Sequence, residues 1–146
     1  MVSDSTRPVL LVVLQCPWKK GDLRNGWNPR IWRKELWLSR TGIRLKEALP
    51  TEIFRVTVCN ANPTLADSPD GVFPADLVHL RRVVRRIQPS VILACGSVAQ
   101  KAAAEILIDV PVVAMKHPAY RLLSRQMTAE IKSQLVQLAM EMFVRS

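Results

Sequence analysis

The segment Val91-Ile92-Leu93-Ala94-Cys95-Gly96-Ser97-Val98-Ala99-Gln100 decides the fold of the chain. Val91 to Cys95 is too short for a helix and shows no polar alternation, so it reads as a strand covered on both faces. Gly96-Ser97 supplies a flexible corner and a hydroxyl suited to cap the helix that Val98 begins. Further on, Pro111 to Met115 repeats the strand with a different ending. Lys116-His117-Pro118 leaves it with a cation, an imidazole and a fixed φ that aims the imidazole off the sheet. Ligands of open α/β sheets sit at the carboxyl ends of the strands, so these two corners are where function is expected.

Upstream, Val9 to Leu14 is another continuous apolar run and ends in Gln15-Cys16-Pro17-Trp18. Lys19 to Arg30 carries Gly21, Gly26 and Pro29 and reads as loop. Asn28-Pro29 then resembles an N-cap with proline at the first helical position, opening a short helix over Ile31 to Leu38. A break at Ser39 to Gly42 separates it from a continuation over Thr41 to Leu49. Phe54 to Cys59 is β-branched and weakly alternating, a second strand that runs into Asn60-Ala61-Asn62-Pro63. Thr64 to Gly71 is dense in turn residues. Ala75 to Ile87 is an amphipathic helix, with Leu77, Leu80, Val83, Val84 and Ile87 at spacings of three and four, and Gln88-Pro89 ends it. Val98 to Ile108 is an alanine-rich helix suited to close packing on a sheet, and Ser124 to Val144 carries Ile131, Leu135, Leu138, Ala139 and Met142 on one stripe. Four strands, each followed by a helix and with no hairpin signal, predict an α/β fold: a three-layer α/β/α domain on a four-stranded parallel sheet.

The chain has 146 residues, 49% of them hydrophobic, which suits one domain over 1–146 with residues 1–8 a flexible, polar N-terminus. The run Val9 to Leu14 is too short for a membrane span or a signal segment, and a soluble, cytoplasmic protein is expected. Lysine and arginine total 21 against 12 acidic residues, a net charge of +9, which suits a polyanion such as nucleic acid as partner, though a merely basic surface has the same composition. The three cysteines form no CxxC pair and fit a reducing compartment better than a disulfide framework.

Four strand-end segments, taken in order, resemble the uracil-DNA glycosylase superfamily. Leu14-Gln15-Cys16-Pro17-Trp18 stands where that family has a segment such as Gly-Gln-Asp-Pro-Tyr. Val56-Thr57-Val58-Cys59-Asn60 is similar to its second strand, which ends in an asparagine that reads the uracil edge. Ile92 to Lys101 resembles its strand and Gly-Ser-x-Ala-Gln-Lys helix start. Lys116-His117-Pro118-Ala119 resembles its His-Pro-Ser motif, whose histidine stabilises the departing base. The likeness runs from about Val9 to Arg121. It implies a minimal DNA repair enzyme of prokaryotic or phage-like setting, acting as a monomer on uracil-containing or damaged DNA, with no cofactor and no resident metal.

Cleaving an N-glycosidic bond leaves a base anion and an oxocarbenium-like sugar, so a site needs donors aimed at a carbonyl oxygen and a group that positions water. Base excision from a duplex also needs base flipping into a pocket that reads the Watson-Crick edge. Asn60 suits that reading because one amide supplies an acceptor and donors for an imide. It also suits simple bracing of the following loop, and Asn62 takes its place if the register slips by two. His117 suits donation to the developing anion, and equally a hydrogen bond to its own loop. Gln15 and Trp18 belong with base binding. Lys116, Arg121, Tyr120 and Ser97 belong with the DNA strand: the two cations and the hydroxyl on phosphates, with Tyr120 or Leu122 as a wedge.

The departures from the family pattern matter too. Cys16 replaces the aspartate that positions water, and a neutral thiol cannot do that work; Asp22 is the nearest substitute. Ala119 replaces the serine after His-Pro. A non-catalytic relative that binds DNA or an unusual base without cutting is therefore the second expectation. A third comes from Cys16, Cys59, Cys95 and His117, which all fall at strand ends and together make a zinc-like ligand set, although strand alternation can send them to different faces. Between Lys19 and Arg40, Arg24, Arg30, Arg33, Lys34 and Arg40 interleave with Trp27, Trp32 and Trp37. This pattern suits a strand-binding groove and equally a helix with its tryptophans inward and arginines outward, and the two are compatible.

Overall fold

The structure, a computed structural model, describes residues 7–15, 34, 36–62, 74–106, 108–118 and 123–145. Strand β1 (Val9–Leu14) is followed by α1 (Arg40–Ala48), β2 (Arg55–Asn60), α2 (Leu77–Ile87), β3 (Val91–Cys95), α3 (Ser97–Glu105), β4 (Val112–Met115) and α4 (Arg125–Arg145). All strand pairs are parallel and the order across the sheet is β2-β1-β3-β4. The inner strands are those with unbroken apolar runs, and β1 and β3 are buried almost throughout. Edge strand β4 instead alternates exposed and buried residues. Side chains alternate between two cores. Leu10, Val12, Val58, Leu93 and Met115 pack with α1 and α4, whereas Leu11, Val13, Ile92 and Ala94 pack with α2 and α3. This is a three-layer α/β/α arrangement.

The chain moves from β1 to β2 across the α1 face, then from β2 past β1 to β3 and on to β4 across the α2–α3 face. A constant crossover hand requires that change of face when the direction of winding reverses. The reversal leaves a switch point between β1 and β3, and the crevice above it lies between Gln15 and Gly96. Helix α3 approaches the sheet closely because Ala99, Ala102 and Ala103 are its buried residues. In α4, Ile131, Leu135 and Ala139 are buried and Leu138 and Met142 partly so, the stripe expected from the spacing.

Three boundaries differ from expectation for identifiable reasons. Helix α2 starts at Leu77 because Asp76 is its N-cap and accepts from His79 N at 3.0 Å. Gln88 closes it in the left-handed region, with φ 52°, just before Pro89. Helix α3 stops at Glu105, where Ile106 caps it and the chain turns towards β4. The break expected over Ser39 to Gly42 is confined to Ser39. Its hydroxyl donates to Leu36 O at 2.6 Å and accepts from Gly42 N at 3.1 Å, capping α1 against the helical residues 36–38.

Gly42 therefore lies inside α1, and close approach is the reason for it. A Cβ at this position would stand 1.9 Å from Leu36 O and 2.9 Å from Trp37 Cα, both backbone atoms. A glycine-to-alanine change in an ordinary helix stabilises by roughly 0.5–1 kcal/mol. Here the sign reverses: Gly42→Ala is expected to destabilise by about 1–3 kcal/mol through overpacking, read as a lower denaturation midpoint in urea.

Candidate functional site

The carboxyl ends of the four strands form one rim. Asn60 ends β2, Gln15 follows β1, Gly96 follows β3 and His117 lies two residues past β4. The ladder between β1 and β2 extends past both strands, with Ala61 N donating to Leu14 O and Asn62 N to Gln15 O. On the other side Gly96 N and Gln100 Nε2 both donate to Met115 O, at 2.8 and 3.0 Å, which ties the start of α3 to the residues just before His117. The rim is thus held by backbone hydrogen bonds on each side of the switch point.

Asn60 is the buried polar residue of the rim, 7% exposed, and pairs in register with Leu14. It shares the pleat face of Val56 and Val58, the face that packs with α1 and α4. Its Oδ1 is buried and has no hydrogen-bond donor among the described residues. An unsatisfied buried carbonyl of this kind costs about 1–3 kcal/mol. The neighbouring Asn62 is spent differently, since its Nδ2 donates to Pro74 O at 2.7 Å. Together with Asp76 N donating to Ala61 O, this ties the residues just after β2 to those just before α2. Asn62 is thus engaged within the fold, whereas the Asn60 Oδ1 is not.

His117 is partly buried, and Pro118 behind it is buried. Burial lowers the imidazole pKa from its usual 6.5, so the ring is neutral at pH 7 and carries one N–H donor. Gly96 is packed against it: a Cβ on Gly96 would lie 3.4 Å from His117 Cβ, and the backbone there has φ 89° and ψ 167°, a region open essentially to glycine alone. Gly96 rather than Ser97 occupies the N-cap of α3, with no side-chain cap, which corrects the capping role expected of Ser97. Ser97 is the exposed first residue of the helix. The amino end of α3 thus adjoins His117, and its partial positive charge favours an anion forming there.

Asn60 and His117 belong to opposite edges of the sheet. Three interstrand steps place β2 and β4 roughly 14 Å apart between backbones. Val113 and Met115 of β4 face the α1 and α4 side, and His117 follows two residues past the end of that strand. Gln15 and Gly96 floor the space between Asn60 and His117. Lys116 is exposed beside His117 and borders a cavity of about 300 Å³ with Gln100, Met127 and Glu130.

The other expected site residues, Cys16, Trp18, Asp22, Tyr120 and Arg121, lie outside the described residues, as do Trp27, Trp32 and Leu122. Trp37 is described. It packs against the α1–α4 core with Lys46 Nζ 5.6 Å from its ring centroid, as the inward reading expects for this residue. The zinc-like set also fails for the described cysteines. Cys95 is buried in the α1–α4 core, Cys59 borders the opposite one, and no group of potential ligands gathers among the described residues. Burial drives the Cys95 thiol far above its usual pKa, so it remains an inert protonated hydrophobe. No helix among the described residues is long and apolar enough to cross a membrane.

Two contributors had no readable signal in the sequence. Arg44 of α1 donates to Leu123 O, fixing the far end of the segment after Pro118 across 79 positions of sequence. Gln100 acts through a main-chain carbonyl. Neither pairing follows a local pattern.

Because His117 is held neutral, the folded state binds fewer protons than the unfolded chain between its lowered pKa and about 6.5. Its contribution to stability is complete above that window and is lost as pH falls through it. The thermal midpoint is expected to drop below about pH 6.5, and His117→Gln to flatten that drop, in calorimetric scans of both proteins. No protein-family model matches the chain, and no curated protein matches it in sequence.

Proposed function

We propose that the chain is a DNA glycosylase-like protein of the uracil-DNA glycosylase superfamily, which flips uracil or a related base out of DNA and hydrolyses its N-glycosidic bond. The observation that carries this reading is the buried Asn60 carboxamide, its Oδ1 without a donor among the described residues, on the same strand-end rim as the neutral His117. An imide edge offers an N–H flanked by carbonyl oxygens. Asn60 accepts from the first through Oδ1 and donates to an oxygen through Nδ2. His117, at the opposite side of the base, donates its N–H to the other carbonyl oxygen.

When the bond between C1′ and the base nitrogen breaks, its electron pair moves into the base and negative charge collects on that oxygen. Water adds to the oxocarbenium-like carbon and releases a proton to the solvent, and the departing base anion takes one up, so the products are a sugar hydroxyl and the neutral base. A neutral imidazole donor stabilises the anion without first transferring a proton. Asp22 is assigned to the water, since the neutral Cys16 thiol at the family's aspartate position cannot orient it, and Gln15 and Trp18 to the base. Ser97, Lys116, Tyr120 and Arg121 are assigned to the strand. The reading calls for no cofactor and a monomeric, cytoplasmic enzyme.

The replacement of the family's aspartate by Cys16 favours a second reading, a module that binds the base without cutting. A labelled oligonucleotide with one deoxyuridine separates the two. Alkali-labile abasic sites appearing with purified protein support the enzyme. Tight, salt-sensitive binding with no such product supports the module, and neither result would end both readings.

A further inference from the structure

His117 is carried past the end of β4, which among the described residues is an edge strand with β3 as its one neighbour. The β3–β4 ladder stops at the pair Cys95 and Met115, two residues before the imidazole. At that last pair the Met115 carbonyl accepts twice, from Gly96 N at 2.8 Å and from Gln100 Nε2 at 3.0 Å.

Gln100 reaches the carbonyl from the first turn of α3. Its own N–H donates to Gly96 O at 3.0 Å, and Ala99, Ala102 and Ala103 seat the helix on the sheet, so the half-buried side chain starts from a fixed base. Holding a glutamine in one rotamer costs about as much free energy as one neutral hydrogen bond contributes. The bond therefore adds little to stability, and its effect is one of placement.

The Met115 oxygen lies in the rigid peptide plane that also contains Lys116 N. One donor leaves that plane free to tilt about the N–H···O line. A second donor, arriving from a side chain on the next helix, fixes it. Between the fixed plane and the imidazole only the dihedrals of Lys116 and His117 remain, and a residue before proline is confined to extended backbone, which restricts His117 ahead of Pro118. Gly96 closes in from α3, where a Cβ would lie 3.4 Å from His117 Cβ and 3.7 Å from its Cδ2. The bonds that draw the start of α3 to the end of β4 thus also define the seat of the ring.

On the reading just proposed, we infer that Gln100 is a positioning residue for base excision: its amide locks the peptide plane between Met115 and Lys116 and so holds the His117 imidazole where it donates to the departing base. In this role Gln100 touches neither base nor sugar and acts through Met115 and His117. A displacement of about 1 Å at a reacting group costs up to about 10²-fold in rate.

The test uses the full chain with Gln100→Met and Gln100→Leu, two apolar side chains without a donor. NMR correlations of the imidazole Cε1–Hε1 groups contain two histidines, His79 and His117, so His79 on α2 serves as the internal reference. Both variants are expected to shift or broaden the His117 signal relative to that of His79. They should slow single-turnover abasic-site formation by about 10- to 100-fold and leave affinity for the deoxyuridine oligonucleotide within about twofold. Ser39→Ala, which removes the cap of α1, controls for lost stability and should change neither signal nor rate. An unmoved His117 signal in both variants overturns the assignment, as does a moved signal with an unchanged rate or an equal displacement in Ser39→Ala. If the wild type forms no abasic product, base excision falls, while the His117 signal still decides whether Gln100 seats the ring.

Discussion

Replacing His117 with alanine is expected to slow abasic-site formation by about 10²–10³-fold while leaving affinity for uncut DNA nearly unchanged. The magnitude is that of removing one pre-aligned donor from a developing oxyanion, about 2.7–4 kcal/mol of barrier. The asymmetry between rate and affinity follows from where the charge resides. Before the bond breaks, the carbonyl oxygen is neutral and gains little from the imidazole N–H; afterwards it carries most of the negative charge. Burial keeps the ring neutral, so the rate should persist as pH rises above 7 instead of fading with loss of an imidazolium. Single-turnover rates and equilibrium binding for His117→Ala, measured on the same deoxyuridine oligonucleotide, test both halves. An unchanged single-turnover rate would remove His117 from the chemistry.

The second large effect is one of opposite signs. Asn60→Leu should make the free protein more stable by about 1–2 kcal/mol, because it removes a buried carbonyl that has no donor among the described residues and fills the space with apolar atoms. The same change should erase discrimination between uracil and cytosine, a loss of roughly 5- to 150-fold, the value of one bidentate base contact at about 1–3 kcal/mol. If Asn60 merely braced its loop, the leucine variant would be less stable and equally selective. Denaturation midpoints and relative rates on the two bases give the answer together.

Much of the architecture was legible because burial and composition agree. The apolar runs Val9 to Leu14 and Val91 to Cys95 became the two inner strands, and the alanines of 98–104 mark the helix that comes closest to the sheet. Asn60 and His117 were legible as strand-end polar residues, and the structure puts both on one rim. What escaped were features set by contact between distant backbones. Gly42 reads as a helix breaker in one dimension, but it is the point where two helical segments touch. Ser97 has the look of a cap, yet the left-handed corner required at Gly96 shifts the helix start by one residue. The cysteines share strand ends in the text, but a pleat with a period of two sends Cys59 and Cys95 to opposite cores.

The paired bonds from Asp76 N to Ala61 O and from Asn62 Nδ2 to Pro74 O act as a clasp at the base of the segment 63–73. A clasped segment can lengthen, shorten or change composition at small entropic cost, each doubling of length costing only about 0.6 kcal/mol. Asn60 stands outside the clasp and keeps its position through such changes. Substitutions or insertions between the two bonds can therefore accumulate without displacing the carboxamide at the end of β2.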